Sequence, residues 1–455
     1  MSDQPDTTPR ASRRGLLAAA GGLLAAAGAG VAARAAPGET DGRPSTTSGE
    51  AVARPSAASG EAAARPSATS GEAIARTSAA TEAFWGTHQA GIMTPAQSHC
   101  YFAAFDLTTD KRDDVIDLLR TWTEAAARLS AGQTAEPLAQ DLEVPGPDSA
   151  DAVGLPPARL TLTFGFGAGL FVKAGKDRYD LAGSRPDALV DLPRFNGDQM
   201  VPEKTGGDLC VQACADDPQV AFHAVRQLAR LAYDAADLRW AQTGFLARPA
   251  DGSTPRNLMG FKDGTHTPEQ AETVVWVGDD GPVWMRRGSY LVVRRIRMAL
   301  EHWDRTKVAF QEQTMGRHKY SGAPLGLGNE FAPLGLDRND TDENPVIAEN
   351  AHVRLANAAA NGAAEILRRG YSYNDGVNFT AERWPPWRQG MEYDAGLLFM
   401  CYQADPRTGF VKLFEKMAKF DMLNQYVTHT GGGLFACPGG AREGEFIGQR
   451  LFGTL

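Results

Sequence analysis

From residue 100 onward, short apolar runs alternate with longer stretches in which apolar positions recur every three or four residues. Cys100 to Leu107 is apolar almost throughout and predicts a buried strand. Asp113 to Leu129 sets Val115, Leu118, Leu119, Trp122 and Ala126 on one side of an amphipathic helix. Leu160 to Phe166 and Leu209 to Cys214 predict further strands. A long helix is expected from Pro218 to about Trp240.

The pattern then repeats itself. Leu209 to Pro218 is a strand-like run ending in Asp217-Pro218, with Phe222 four residues on; Leu397 to Pro406 ends in Asp405-Pro406, with Phe410 four residues on, at an offset of 188. At nearly the same offset, Tyr101 in the first strand meets Tyr290 in Gly288 to Met298. The two matches predict a duplicated α+β body over residues 81–455, divided at about residue 255, with antiparallel strands, helices packed on one face and a cleft between the halves.

The first 80 residues follow other rules. From Arg43 an eleven-residue unit restarts at Arg54 and Arg65, with a decayed copy at Arg76. Each unit carries a proline and a Ser-Gly pair and no apolar stripe, so residues 36–80 are expected to be a disordered linker. Ahead of it, Arg13-Arg14 precedes a weakly apolar Gly/Ala/Leu run ending in Ala33-Arg34-Ala35. Residues 1–35 are expected to be a twin-arginine (Tat) export signal rather than a stable membrane anchor. The location expected is extracellular, cell-wall or periplasmic, with the Tat translocase as a transient partner. The formal charge of -9 becomes about -11 without those 35 residues, which hold four arginines against Asp3 and Asp6; an acidic body argues against nucleic-acid binding. Cys100, Cys210, Cys214, Cys401 and Cys437 have no C-x-x-C spacing and are expected to be buried small hydrophobes, not a disulfide framework or zinc site.

Candidate chemistry concentrates in Arg256 to Thr265. Gly260 and Gly264 bracket Asp263, with Lys262 before it, so main chain is pressed close to a neighbour while Asp263 is presented; an ordinary Asp-Gly surface turn is the alternative. None of the eight histidines lies in H-E-x-x-H, and no G-x-S-x-G or P-loop occurs. His352-Val-Arg-Leu-Ala-Asn357 and the paired Arg368-Arg369 stand out further on.

These residues carry a resemblance. Gly260-Phe-Lys-Asp-Gly264 matches the G-x-x-D-G motif of the dye-decolorising (DyP-type) haem peroxidases. Gly86 to Ile92, Gly316 to Lys319 with Gly322 to Leu325, His352 to Asn357, Leu367 to Tyr373 and Gly396 to Gln403 are similar to that family's A-type, Tat-exported branch, which includes the deferrochelatase/peroxidases. The resemblance implies duplicated ferredoxin-like units of the dimeric α+β barrel type with haem b in a cleft. His352 would be the proximal iron ligand and Asp394 the acceptor that orients it. Asp263 and Arg368 would be the distal pair assisting O–O heterolysis to a ferryl species, although spacing leaves Arg369 open as the distal arginine. Gly260, Phe261, Lys262, Gly264 and Thr265 would lie against the cofactor, and Arg294 and Arg297 would pair with haem propionates. Tyr371, Tyr373, Tyr402, Trp284 and Trp303 would pass electrons from donors too bulky to enter. His266 departs from the family pattern. An aspartate base titrates near pH 4, so an acidic optimum is expected. The expected reaction reduces hydrogen peroxide while oxidising an organic or metal donor. The alternatives are a deferrochelatase or haem-handling protein, or an accessory partner of an exported oxidase or iron importer. Oligomeric state is left open.

Overall fold

The computed structural model describes residues 80–453 apart from 140, 269 and 382–388; the expected export signal and nearly all of the repeat linker lie outside the described residues. The chain begins with β1 (His99–Leu107), α1 (Arg112–Ser130), β2 (Thr161–Gly167), β3 (Leu209–Ala215), α2 (Pro218–Leu231) and β4 (Ala236–Phe245). Asp217 caps α2 by accepting the N–H groups of Gln219 and Val220, and Pro218 opens its first turn, where a missing N–H costs nothing. The helix stops at Leu231, nine residues short of the sequence-based expectation, and Ala236 to Trp240 belong to β4. That segment is helix-compatible by composition, but β1 lacks a second partner without it: β4 pairs along the whole of β1, from His99↔Phe245 to Leu107↔Ala236.

The second half repeats the order. It runs β5 (Ser289–Met298), the short helices α3 (Val308–Met315) and α4 (His352–Leu355), β6 (Leu367–Arg368), β7 (Tyr371–Ala381), β8 (Gln389–Gln403), α5 (Phe410–Phe420) and β9 (Val427–Cys437). Within the first half the strands lie in the order β2-β3-β1-β4; within the second, β9 and β8 flank β5, and β7 follows β8. Each half is therefore a ferredoxin-like unit. β2 joins β9 at Phe166↔Ala436, and β4 joins β7 at Phe245↔Ser372, closing the two sheets into one barrel with no free edge at either seam. Gly396 allows the tightest crossing, since a Cβ there would sit 1.9 Å from the Ile296 carbonyl oxygen on β5.

Strand parity then sorts the side chains. Leu291 and Val293 of β5, with Leu398, Met400 and Tyr402 of β8, fill the barrel interior beside Cys100, Cys214, Tyr371 and Phe435. The opposite parity, Val292 on β5 with Phe399 and Cys401 on β8, faces out toward α5. In the first half the outer face is sealed by α1 and α2. Trp122, 1% exposed, packs on Phe105 and Phe164 and donates its indole N–H to Leu228 O at 2.8 Å. Among the described residues no helix is long and apolar enough to cross a membrane.

Candidate active site

The Arg256 to Thr265 segment is a closed loop held from several sides. Asn257 exchanges backbone hydrogen bonds with Gly260 and Phe261, while its side-chain oxygen accepts from the N–H groups of Met259 and Phe261. Gly260, at φ +84°, turns the chain where a side chain would be strained. Arg256 ties the loop to the 319–320 segment by donating to Gly260 O, Lys319 O and Tyr320 O. Met259 and Phe261 are pegs, 2% exposed, in a cluster with Trp303, whose indole N–H donates to Met259 O at 2.9 Å. Glu330 fastens the far end: it takes the Lys262 ammonium on one oxygen and the Thr265 hydroxyl on the other at 3.1 Å. Burial raises the Glu330 pKa, but these donors outweigh it and hold the carboxyl below the ordinary value.

Asp263 stands at the end of this scaffold. Its backbone N–H donates to Pro255 O at 2.8 Å, its Oδ2 accepts from Asn257 Nδ2 at 3.4 Å, and its Oδ1 accepts from Arg368 Nη1 at 3.0 Å. Both side chains remain partly open, 29% for Asp263 and 39% for Arg368. Arg369, the other arginine of the pair, points the opposite way into the barrel and is 5% exposed; alternation along the extended chain assigns Arg368 to the cleft.

His352 opens α4. Its Nδ1 is hydrogen-bonded to Asp421 Oδ2 at 2.7 Å, and the Asp421 side chain is 3% exposed. Asp421 Oδ1 accepts the Leu423 N–H at 2.8 Å and the Asp421 N–H donates to Met417 O, so the carboxylate is fixed by the end of α5. Burial lowers the His352 pKa, the Asp421 carboxylate more than offsets that, and the net shift is upward; Arg368 opposes protonation and Asp263 favours it, so both distal groups act electrostatically on this ring. His352 Nε2 has no hydrogen-bond partner among the described residues.

Several expectations are corrected here. Asp394 does not orient His352: it shares its strand parity with the interior-facing Leu398 and accepts from Arg295 Nη2 at 2.7 Å. Arg294 does lie on the cleft side of β5, but its guanidinium is bound to both oxygens of Asp198, at 3.2 and 2.9 Å, and enclosed by Phe195, Phe410 and Phe414, so no free charge is offered to a propionate. Beside it, burial and then Arg294 hold His429 down to about 3. Arg297 pairs with Glu392. Phe261 is a core peg, and Lys262 and Thr265 are occupied by Glu330, so these three position Asp263 instead of facing a ligand. Gly264 stands at φ +112°, and a Cβ there would meet only Thr254 Cγ2, at 4.0 Å. His266 is 71% exposed, 3.8 Å from Glu365.

The aromatic candidates divide as well. Tyr371, Tyr373 and Tyr402 are fully buried, Trp303 is 1% exposed, and none can meet a bulky donor directly. Tyr371 donates to Cys214 Sγ at 3.5 Å, Tyr402 to Gln212 Oε1 at 2.9 Å, and Tyr373 carries the Arg295 guanidinium 4.3 Å above its ring. Trp284 is also buried, 7% exposed, but it lines a cavity of ≈ 200 Å³ together with Arg286, Arg287, Arg442, Arg450 and Glu445. The sequence offered no pointer to Glu330, and Asp421 lies 69 residues from His352. The one signal available for Asp421 was its place directly after a helix and before Met-Leu-Asn, a capping position.

The donor set suits a flat iron-bearing ring. A histidine whose Nδ1 is held by a carboxylate presents Nε2 as a ligand of fixed direction and raised basicity. On the same outward parity of β5 and β8, Ile296, Leu397 and Phe399 are apolar and only partly covered. Among the described residues no group of three or more His, Cys, Asp or Glu is arranged to hold a bare metal ion.

Comparison with known proteins agrees with this architecture. Residues 89–246 match the family profile described as Dyp-type peroxidase, N-terminal, and residues 254–442 match its C-terminal counterpart. The chain is 42% identical over 383 residues to a dye-decolorizing peroxidase of Thermobifida fusca, covering 80% of this chain and 83% of that one. It is 36% identical over 385 residues to a deferrochelatase of Escherichia coli K12, covering 81% and 87%. A crystal structure of a DyP-type peroxidase from Streptomyces coelicolor superposes with a TM-score of 0.75 at 40% identity, over 83% of this chain and 99% of that one. With both profiles matched in order across the barrel, and with relatives this similar over four-fifths of its length, the chain belongs to the Dyp-type peroxidase family.

Proposed function

We propose that the protein is a haem b peroxidase in which His352 ligates the iron through Nε2, Asp263 carries the proton and Arg368 supplies fixed positive charge. The observation that carries this reading is the Asp263–Arg368 pair at 3.0 Å, acting on a histidine whose other nitrogen is held by Asp421. When bound, the haem supplies the redox centre at which hydrogen peroxide is reduced. Asp263 would take a proton from one oxygen of the peroxide and return it to the other, which departs as water. Arg368, cationic at any working pH, offsets negative charge as the O–O bond lengthens. Asn257 and the Glu330–Lys262–Thr265 strap keep Asp263 from swinging away, and Asp421, by holding Nδ1, fixes the direction of Nε2.

Donors too large for this cleft would give up electrons at the surface. Trp284, in its arginine-lined cavity, suits anionic aromatic donors such as sulfonated dyes. The match to the deferrochelatase of Escherichia coli favours one second reading, iron removal from haem on the same scaffold. Residues 1–35 would direct export through Tat, and Arg13→Lys with Arg14→Lys should retain the protein in the cytoplasm. The deciding experiment measures dye oxidation and iron release side by side in wild type and Asp263→Asn. Dye turnover that collapses in the variant supports the peroxidase; iron release without peroxide consumption in either would replace it with haem handling.

A further inference from the structure

Behind Arg368, on the other side of the strand, lies a cluster that peroxide reduction as described above does not use. Arg369 donates to Thr94 O and Gln97 Oε1, its Nε has no partner, and among the described residues no carboxylate lies within ion-pair distance of it. A buried guanidinium without a carboxylate is costly unless another group can take up negative charge. The groups that feel its charge are the Tyr371 and Tyr402 phenols and the Cys214 thiol. Cys214 on β3 stands directly opposite Cys100 on β1, and both side chains lie in the barrel interior. Directly paired residues of antiparallel strands have Cα atoms roughly 4.5–5.5 Å apart, within the span a disulfide bridges. Burial raises the Cys214 pKa, but its hydrogen bond with Cys100 and the charge of Arg369 reverse this and bring it down to about 6; Cys100 is pushed up. A thiolate beside a second thiol is the arrangement in which an oxidant can take two electrons and leave a disulfide.

A second pair lacks that bias. Cys210 and Cys437 both crowd the empty side of Gly165, where a Cβ would lie 2.8 and 3.1 Å from their sulfurs. Burial raises both of their thiols.

We propose that Cys100 and Cys214 are an internal two-electron donor: when peroxide is reduced with no external reductant present, they close to a cross-strand disulfide, with Tyr371 relaying oxidation from the cleft to Cys214. The step balances as one peroxide plus two thiols giving one disulfide plus two waters. The two sulfurs lose two electrons as one S–S bond forms and the O–O bond breaks, while the Cys100 proton and the one already released by Cys214 end on the peroxide oxygens. The inference rests on the peroxidase reading.

The test uses pre-reduced holoenzyme given stoichiometric hydrogen peroxide with no dye, followed by denaturation, titration of free thiols and peptide mapping after alkylation. The five thiols should fall to three, one peroxide being consumed per bridge, with the bridge mapped to Cys100 and Cys214 and reopened by dithiothreitol. Excess dye should protect all five. Cys100→Ser and Cys214→Ser should each keep their four remaining thiols, whereas Cys401→Ser should still lose two. The inference is overturned if five thiols survive in a sample that oxidises added dye, if the bridge joins Cys210 to Cys437, or if Cys214 ends as a sulfinic acid. Equal thiol loss in His352→Ala would also overturn it, because the haem would then have no part. A preparation that oxidises no dye yet closes the bridge strikes at the peroxidase reading and at the electron route together.

Discussion

The two halves of the barrel share one order of strands and helices but spend their outer faces differently. In the first half α1, 19 residues long, and α2, 14 residues long, lie flat on the sheet, and Trp122 and its neighbours fill the space beneath them. In the second half the segment corresponding to α1 is broken into short pieces, with α3 at eight residues and α4 at four. In this half Asp263 pairs with Arg368, and both bear on His352. Shortening one covering helix turns a packing face into a cleft. Side chains of the first half should therefore govern stability, and those of the second half chemistry.

The largest effect should come from the cleft. Asp263→Asn keeps the loop's shape but loses the proton carrier, and peroxide-dependent kcat should fall by roughly 10²–10⁴ with the melting temperature little changed. A stopped-flow assay reads this directly; a variant within a few-fold of wild type would remove Asp263 from the mechanism. Trp122→Ala, in the closed half, should reverse that pattern. Loss of a buried indole destabilises by about 3–5 kcal/mol, seen as a lower denaturation midpoint, while kcat per folded molecule stays near wild type. Asp421→Asn comes next: haem affinity should weaken about 10–100-fold by titration of the Soret band, whereas Asp394→Asn should leave it unchanged. Equal effects from the two would erase the distinction drawn from strand parity.

The smallest effect concerns acid. The folded-state pKa of Glu330 lies below its unfolded value near about 4.3, so its contribution to stability is complete above that value and is lost as pH falls through the lower folded one. Melting temperature followed from pH 5 to pH 3 should therefore drop more steeply in wild type than in Glu330→Gln. Parallel curves would mean that the strap on the Asp263 loop carries no net stabilisation.

What could be read from the sequence was local or repeated. The Asp263 loop, the His352 segment and the 188-residue offset each lie within a few consecutive residues or recur at a fixed distance, and the duplicated α+β architecture followed from them. What escaped depended on which face of a strand a residue takes and on what the fold brings to it. Asp394 and Asp421 are equally plausible carboxylates by position, yet one is turned inward to Arg295 and the other is held at a helix end beside His352. Ala236 to Trp240 is helix-compatible by composition and became a strand because β1 needed a partner. Arg294 and Arg295 differ by one residue and end on opposite sides of the sheet, the first with Asp198 and the second with Asp375 and Asp394.

Asp421 joins two events that are usually treated apart. Because one oxygen caps the start of the turn at Met422–Gln425 by taking the Leu423 N–H and the other holds the His352 ring, haem held by His352 would link cofactor occupancy to the closing of the α4–α5 corner. A ligand at about a thousand times its Kd adds roughly 4 kcal/mol to the state that binds it. In this protein that increment should fall first on residues 350–356 and 417–425. Their amides should exchange slowly with deuterated solvent when haem is bound and much faster in its absence, while those of α1 are indifferent to it.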